Sequence, residues 1–213
     1  MGMFSRKDMI RLFGPLLVEQ LLAVLVGMAD VVMVAAVGET AVSGVALVDS
    51  ISVLVIQVLS AMATGGAVVC SQYIGKKKPD QACRAAGQLV LITAALSLLI
   101  AAVAFIGNRH LLRLIFGSVE TAVMDNAQTY FWFTAMSYPF LALYNSGAAL
   151  FRSMGNSKIS MQASIIMNVI NVIGDALFIF GFHWGIKGAA WATVIGQIVS
   201  GCLVIVYFVR FKK

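Results

Sequence analysis

Three polar side chains with helical spacing interrupt the apolar run that ends near residue 182. Asn168, Asn171 and Asp175 are three and four positions apart, so an α-helix would carry them on one stripe. Polar groups on one face of an apolar helix need a polar partner, which in a membrane is another helix, a cavity, an ion or a proton. We therefore expect this stripe to be functional and the rest of the chain to position its partner.

A second carboxylate lies deep in the first apolar run of the sequence. Asp30 follows nine apolar or small residues, and an ionised carboxylate at the centre of a bilayer costs about 2.5–3.5 kcal/mol. An interfacial position at the end of a helix is the alternative for Asp30, because Val37 is only seven residues further on. The alternative is weaker for Asp175, which has Asn171 one turn before it. Two such acids favour a functional role.

Buried carboxyl groups have two uses in a membrane. Desolvation disfavours their charged form, so they can hold and release a proton near neutral pH. Together with neutral oxygens they can also bind a hard cation such as Na+. Asn145 and Thr193 could add such oxygens, although either residue alone is read as a hydrogen bond between helices. The sequence leaves the choice between H+ and Na+ open.

The composition identifies an integral membrane protein. Of 213 residues, 61% are hydrophobic and 11% are charged, and the mean hydropathy is +0.94. A soluble domain has about 45–50% apolar and about 25% charged residues. The apolar runs suit spanning helices of about 20 residues rather than the short alternating strands of an outer-membrane barrel. We expect an all-α membrane protein in contact with a lipid bilayer.

Charge placement and motifs exclude several function classes. The net charge of +6 comes from basic residues between the apolar runs, so no nucleic-acid partner is expected. No stretch resembles a nucleotide-binding loop, which disfavours a pump driven by ATP. The three cysteines have no spacing typical of a metal site. We expect no enzyme activity and no cofactor beyond a coupling ion.

The hydropathy pattern predicts six spans that form a single six-helix lobe over residues 1–213. Their predicted bounds are 10–37, 45–74, 86–107, 121–150, 159–182 and 187–209.

Positive charge alternates between the connections and predicts the orientation of the lobe. One set of flanks carries Arg6, Lys7, Arg11, Lys76, Lys77, Lys78, Arg84, Arg152, Lys158, Arg210, Lys212 and Lys213. The other set carries only Arg109, Arg113 and Lys187. The positive-inside rule then places both termini in the cytoplasm of a multi-pass protein in the cell membrane, plasma or inner.

Four other residues receive structural interpretations. Glu19 is expected to reach the cytoplasmic interface, and Asp49 is expected near the outer end of its span. Pro79 is expected to stop the second helix. Pro139 is expected to kink the fourth helix at mid-membrane depth.

Three stretches carry a resemblance to a known family. They are Pro15 with residues 27–38, residues 150–156, and residues 168–175 followed by 185–193. Together they resemble the N-terminal lobe of the multidrug and toxic compound extrusion (MATE) transporters, which belong to the MOP superfamily. The stretch over the fifth and sixth spans is the most specific, and the resemblance covers essentially the whole chain.

The resemblance implies roles for individual residues. Asp30 matches a first-helix aspartate whose protonation is linked to bending of that helix at its proline, here Pro15. The positions matching other members of the proton- or sodium-linked site are Asn145, Asn171, Asp175 and Thr193. The implied function is an antiporter that uses inward H+ or Na+ to export amphipathic, usually cationic, compounds by alternating access.

The resemblance also implies a second six-helix lobe, because family members are roughly twice as long. That lobe would lie in the same longer chain or in a second copy of this one, and parallel repeats are an established transporter plan. Two alternatives stay open. A lipid-linked oligosaccharide flippase of the same superfamily would be expected to place more cationic residues in its cavity than this sequence does. A non-transporting membrane assembly subunit would use Asp175 only to pair with a partner helix.

Overall fold

The computed structural model describes the backbone of residues 6–211, with the side chains of residue 10 and residues 13–210. Five of the basic residues behind the predicted orientation have side chains outside this description, namely Arg6, Lys7, Arg11, Lys212 and Lys213. The orientation of the lobe in the membrane stays a prediction.

Six long helices follow one another along the described chain, and the predicted all-α fold is confirmed. They are α1 (Arg6–Ala35), α2 (Glu39–Gly75), α3 (Pro79–Phe116), α4 (Thr121–Ser153), α5 (Ser157–Asp175) and α6 (Ile186–Phe211). A π-helical segment, Ala176–Gly181, continues α5 without a break. Every predicted span lies on one of these helices apart from residues 36–37 and 182, and α3 extends well beyond its predicted span at both ends.

Five of the described helices are long and apolar enough to cross a membrane, and α4 is the exception. α4 packs against α2, α3 and α6 at the centre of the bundle, so few of its residues need to suit lipid. Hydroxyl groups of Ser and Thr residues bond within the helix: Thr134 donates to the Tyr130 carbonyl at 2.8 Å and Ser146 donates to the Ala142 carbonyl at 2.6 Å. The predicted fourth span is therefore a central helix with about half of its residues buried.

The connection between α2 and α3 corrects one expectation. α2 ends at Gly75, and Lys77 adopts a left-handed conformation with φ of 55° in the turn that follows. Pro79 is the first residue of α3. Proline is well suited to that position, because the first helical residues have no partner for an N–H group. Pro79 therefore begins the third helix instead of ending the second.

Close packing between α5 and α6 depends on two glycines. A Cβ atom at Gly174 would lie 2.8 Å from the Cβ of Ala192, and one at Gly196 would lie 3.0 Å from the carbonyl oxygen of Met167. Distances below about 3.4 Å leave no room for a side chain. The backbones of α5 and α6 therefore approach each other directly at the level of the polar stripe.

α1 is held much less firmly than the other helices. Only 6% of its apolar window is buried, against 28–33% for the other four candidate spans. It contacts mainly α5, and one side of it exposes large apolar side chains such as Leu17, Leu21, Val24 and Val32. Contacts on its inward side therefore decide where α1 lies.

Candidate functional site

The polar stripe on α5 faces the interior of the bundle. Asn168 is 8% exposed, and its Nδ2 atom donates to the hydroxyl of Ser164 at 3.4 Å. Asn171 donates from Nδ2 to the Thr193 hydroxyl at 3.2 Å, which joins α5 to α6. Asp175 is completely buried at the last residue of α5, where the π-helical segment begins. Single π-helical turns are frequent at functional sites.

The structure brings Asp30 of α1 to Asp175 of α5. The two carboxyl groups lie within range of a side-chain hydrogen bond to each other. Oδ1 of Asp30 and both carboxyl oxygens of Asp175 are buried without a donor among the described residues. Ionised carboxylates only accept hydrogen bonds, so the two groups can bond to each other only through a shared proton.

The electrostatics of this carboxyl pair demand a counter-charge. Two unit charges about 4 Å apart repel by about 4 kcal/mol at an effective dielectric constant of about 20. In the described part of the chain, no Lys or Arg side chain forms an ion pair with Asp30 or Asp175. A proton or a small cation bound between the carboxyl groups would remove the repulsion and lower the desolvation cost.

Two residues that the sequence did not assign to the site border the pair. The phenol of Tyr130, on α4, is 3% exposed and lies within electrostatic range of Asp30, Asp49 and Asp175. Asp49, on α2, is half-buried and interacts with Asp30. The expected depth of Asp49 near the outer end of its span stays a prediction. Its acidic character was a usable signal, whereas a tyrosine in an apolar helix gives none.

Thr193 contributes a neutral hydroxyl oxygen to the polar network around the carboxyl pair. Its hydroxyl accepts from Asn171, donates to the Ala189 carbonyl at 3.2 Å, and interacts with the phenol of Tyr130. Tyr130 therefore links α4 to the α5–α6 contact. The polar network comprises residues of α1, α2, α4, α5 and α6.

Two predicted residues lie apart from the network. The Nδ2 atom of Asn145 is buried without a hydrogen-bond partner in the described chain, and none of the side-chain hydrogen bonds found there joins it to Asp30 or Asp175. Pro15 lies within α1, which continues on both sides of it. It is fifteen residues before Asp30, or about 22 Å along the helix. Pro15 can affect the carboxyl pair only through the shape of α1.

The side chains around the carboxyl pair offer oxygen atoms that could hold a proton or a weakly bound cation. Within residues 6–211, no group of three or more His, Cys, Asp and Glu side chains is arranged to hold a metal ion. Two carboxylates and neutral hydroxyl and amide oxygens remain as donors, and hard cations prefer oxygen.

A second acidic cluster lies at the other end of α1. Glu19 accepts a hydrogen bond from the Tyr144 hydroxyl at 2.9 Å and one from the Ser160 hydroxyl at 3.4 Å. Nη1 of Arg152 is 3.7 Å from its Oε1 atom. The Glu19 side chain is only 14% exposed and points into the bundle, towards α4 and α5. Its expected place at the cytoplasmic interface stays a prediction.

Comparison with known proteins agrees with this fold. The profile of the MatE family matches residues 15–177. The chain is 28% identical over 197 residues to the uncharacterized transporter YisQ of Bacillus subtilis, covering 91% of this chain and 43% of that protein. It is 24% identical over 205 residues to the multidrug export protein MepA of Staphylococcus saprophyticus, covering 96% and 45%. A crystal structure of MATE in the bent conformation superposes with a TM-score of 0.88 at 22% identity, covering 98% and 46%.

The six-helix lobe with buried acids is thus of the membrane-transporter class. The chain belongs to the MatE family, the multidrug and toxic compound extrusion transporters. It spans less than half the length of the curated relatives that it matches.

Proposed function

We propose that this chain is one lobe of a cation-coupled antiporter that exports amphipathic, usually cationic, compounds. The coupling ion is H+ or Na+, and it binds at the carboxyl pair of Asp30 and Asp175. The observation that carries the proposal is this buried pair, which has unsatisfied oxygens and no basic partner among the side chains that the structure describes. MepA, a relative, is described as a multidrug export protein.

Coupling requires that the ion and the substrate each favour a different state of the lobe. Without the ion, repulsion between the two carboxylates drives α1 away from α5. With the ion, the two groups share one positive charge, their repulsion is removed and α1 docks. α1 is suited to this movement because little of its surface is buried, and weakly packed elements open at low free-energy cost.

The exporter also needs a second lobe. Relatives are more than twice the length of this chain. The exposed apolar side of α1 is then available both to lipid and to a substrate cavity between two lobes. We propose that the second lobe is a further part of a longer chain or a second copy of this one.

The test is transport measured after removal of either charge. Asp30→Asn and Asp175→Asn each keep the side-chain size but replace one acid of the pair with a neutral amide. We expect both variants to lose ion-driven efflux of a cationic dye from cells, with expression unchanged. Asp125→Asn is the control, because Asp125 is an exposed aspartate on α4 and should tolerate the same change. Full efflux in both variants would refute the proposed role of the pair.

Efflux from vesicles then identifies the ion. Imposing an H+ gradient alone and an Na+ gradient alone on the wild-type protein separates the two couplings. Efflux that proceeds equally with no gradient would exclude an antiporter, and efflux absent under every gradient would favour the flippase or the assembly subunit.

A further inference from the structure

Glu19 and Asp30 lie on the same face of α1. They are eleven residues apart, which at 100° per residue leaves them about 20° apart around the helix and about 16 Å apart along it. Both residues contact α5, because Glu19 accepts a hydrogen bond from Ser160 and Asp30 meets Asp175. Since the two contacts follow the same order along both helices, α1 and α5 run in the same direction.

The two contacts differ in whether the lobe supplies the charge and hydrogen-bond partners of the acid. Glu19 has a cationic partner in Arg152 and two hydroxyl donors in Tyr144 and Ser160. All of these are side chains of the lobe itself, from α4 and α5. The contact at Asp30 has buried acceptors that no described residue satisfies. The lobe itself supplies the partners of the first contact, whereas the second lacks a counter-charge among the described residues.

Little else fixes the position of α1. Its outer side is exposed along most of its length, including Leu17 at 64% and Val32 at 70%. The Glu19 contact is its described polar link to α4, through Tyr144 and Arg152. A helix with one permanent and one conditional attachment is free to turn about the permanent one.

We propose that Glu19 is the pivot of α1: a positioning residue that anchors the helix to α4 and α5, so that ion exchange at Asp30 swings its far end. The anchoring stands on the contacts of Glu19 alone, and the swing rests on the proposed function. Without the anchor, ion binding would shift or rotate the whole helix, and Asp30 would no longer return to Asp175.

Distances between spin labels can test both parts of the proposal. The background replaces Cys70, Cys83 and Cys202 with alanine. One label pair joins Leu17 on α1 to Leu91 on α3, and a second pair joins Val32 on α1 to Ile106 on α3. All four positions are exposed. Pulsed electron paramagnetic resonance on protein in lipid nanodiscs gives each distance distribution at high pH, at low pH and with added Na+.

In the unsubstituted background, we expect the Val32 pair to shift on ion binding while the Leu17 pair stays narrow and fixed. Glu19→Gln should widen the Leu17 distribution in every condition and abolish the ion-dependent shift of the Val32 pair. The charge exchange Glu19→Arg with Arg152→Glu should restore both results. Glu39→Gln, at an exposed glutamate in the first turn of α2, is the matched control and should change neither.

The outcomes separate the pivot from the proposed function. An unchanged Leu17 distribution in Glu19→Gln overturns the pivot, whatever the Val32 pair does. A Val32 pair that does not respond to ions in the background protein overturns the ion-driven swing, while the width of the Leu17 distribution still decides the anchor.

Discussion

The two acidic clusters on α1 show how a carboxyl group can have two different roles in one helix. At Glu19 the carboxylate is paired with Arg152 and receives two hydroxyl hydrogen bonds. At Asp30 the carboxyl group meets another carboxyl group and has a buried oxygen without a donor. The first arrangement supplies its own counter-charge, whereas the second leaves the counter-charge to be taken from outside.

This difference separates structural acids from exchanging ones. A buried charge is tolerated when a fixed partner neutralises it, and it then holds the fold in one arrangement. A buried acid without a fixed partner is stable only with a proton or cation, so its environment changes with ion supply. Depth in the membrane does not distinguish the two cases, but the nearest cation does.

The sharpest way to break the comparison is to give the carboxyl pair a fixed cation. Asn171→Lys places an ammonium group one turn before Asp175, so the pair would resemble the Glu19 cluster. We expect ion-driven dye efflux to fall to background, because α1 would stay docked regardless of the ion. Helicity and expression should be retained.

Gln162→Lys is the control for this change, because it adds the same charge at an exposed position of α5. Efflux by Asn171→Lys that still responds to an ion gradient would show that the pair does not need an exchangeable counter-charge.

The two clusters should also respond to charge removal with opposite sign. Asp175→Asn removes the repulsion within the pair, so thermal stability at neutral pH should rise. Glu19→Gln removes half of a satisfied ion pair, so stability should fall. Each 1 kcal/mol corresponds to a shift of about 2–4 °C in Tm for a chain of this size. Tm values in detergent without added Na+ measure both effects, and a decrease in both variants would contradict the distinction.

A double-mutant cycle measures how much the Glu19 cluster depends on its ion pair. Breaking a buried pair costs about 3–5 kcal/mol, but Arg152 is 30% exposed, so we expect about 1–2 kcal/mol after solvent screening. Arg152→Gln alone should destabilise the protein, and combining it with Glu19→Gln should cost less than the sum of the two. Strict additivity in denaturation measurements would mean that the two charges do not interact.

The sequence predicted the all-α fold and the α5 stripe because both follow from local pattern. Helical runs are visible as apolar periodicity, and Asn168, Asn171 and Asp175 share a face by spacing alone. The sequence did not predict the partners of Glu19 because it judged the residue by its distance from the start of a span. Whether an acid near a helix end faces solvent or a basic residue of another helix is decided by tertiary packing. Residues 144, 152 and 160 are far from it in sequence.

The same reason explains Tyr130 and Asp49. Nothing in the order of residues within α4 or α2 indicates that these side chains converge on Asp30. Such convergence depends on the rotation of each helix about its axis, which small differences in packing decide. Asn145 stays a prediction, because this polar residue on α4 has no hydrogen bond to the carboxyl pair in the described structure.

The smallest expected effect on ion-driven efflux comes from Tyr130, which borders the carboxyl pair. Tyr130→Phe removes a buried hydroxyl near Thr193 and the acids and leaves the fold intact. Loss of one hydrogen-bonding group changes a free energy by about 0.5–1.5 kcal/mol, which is about a 2- to 12-fold change in the ion concentration that gives half-maximal efflux. Tyr138→Phe is the matched control. Tyr138 is buried like Tyr130, but its hydroxyl lies 3.2 Å from that of Ser52 and does not interact with Asp30. A larger change for Tyr138→Phe than for Tyr130→Phe would show that the phenol of Tyr130 does not belong to the ion site.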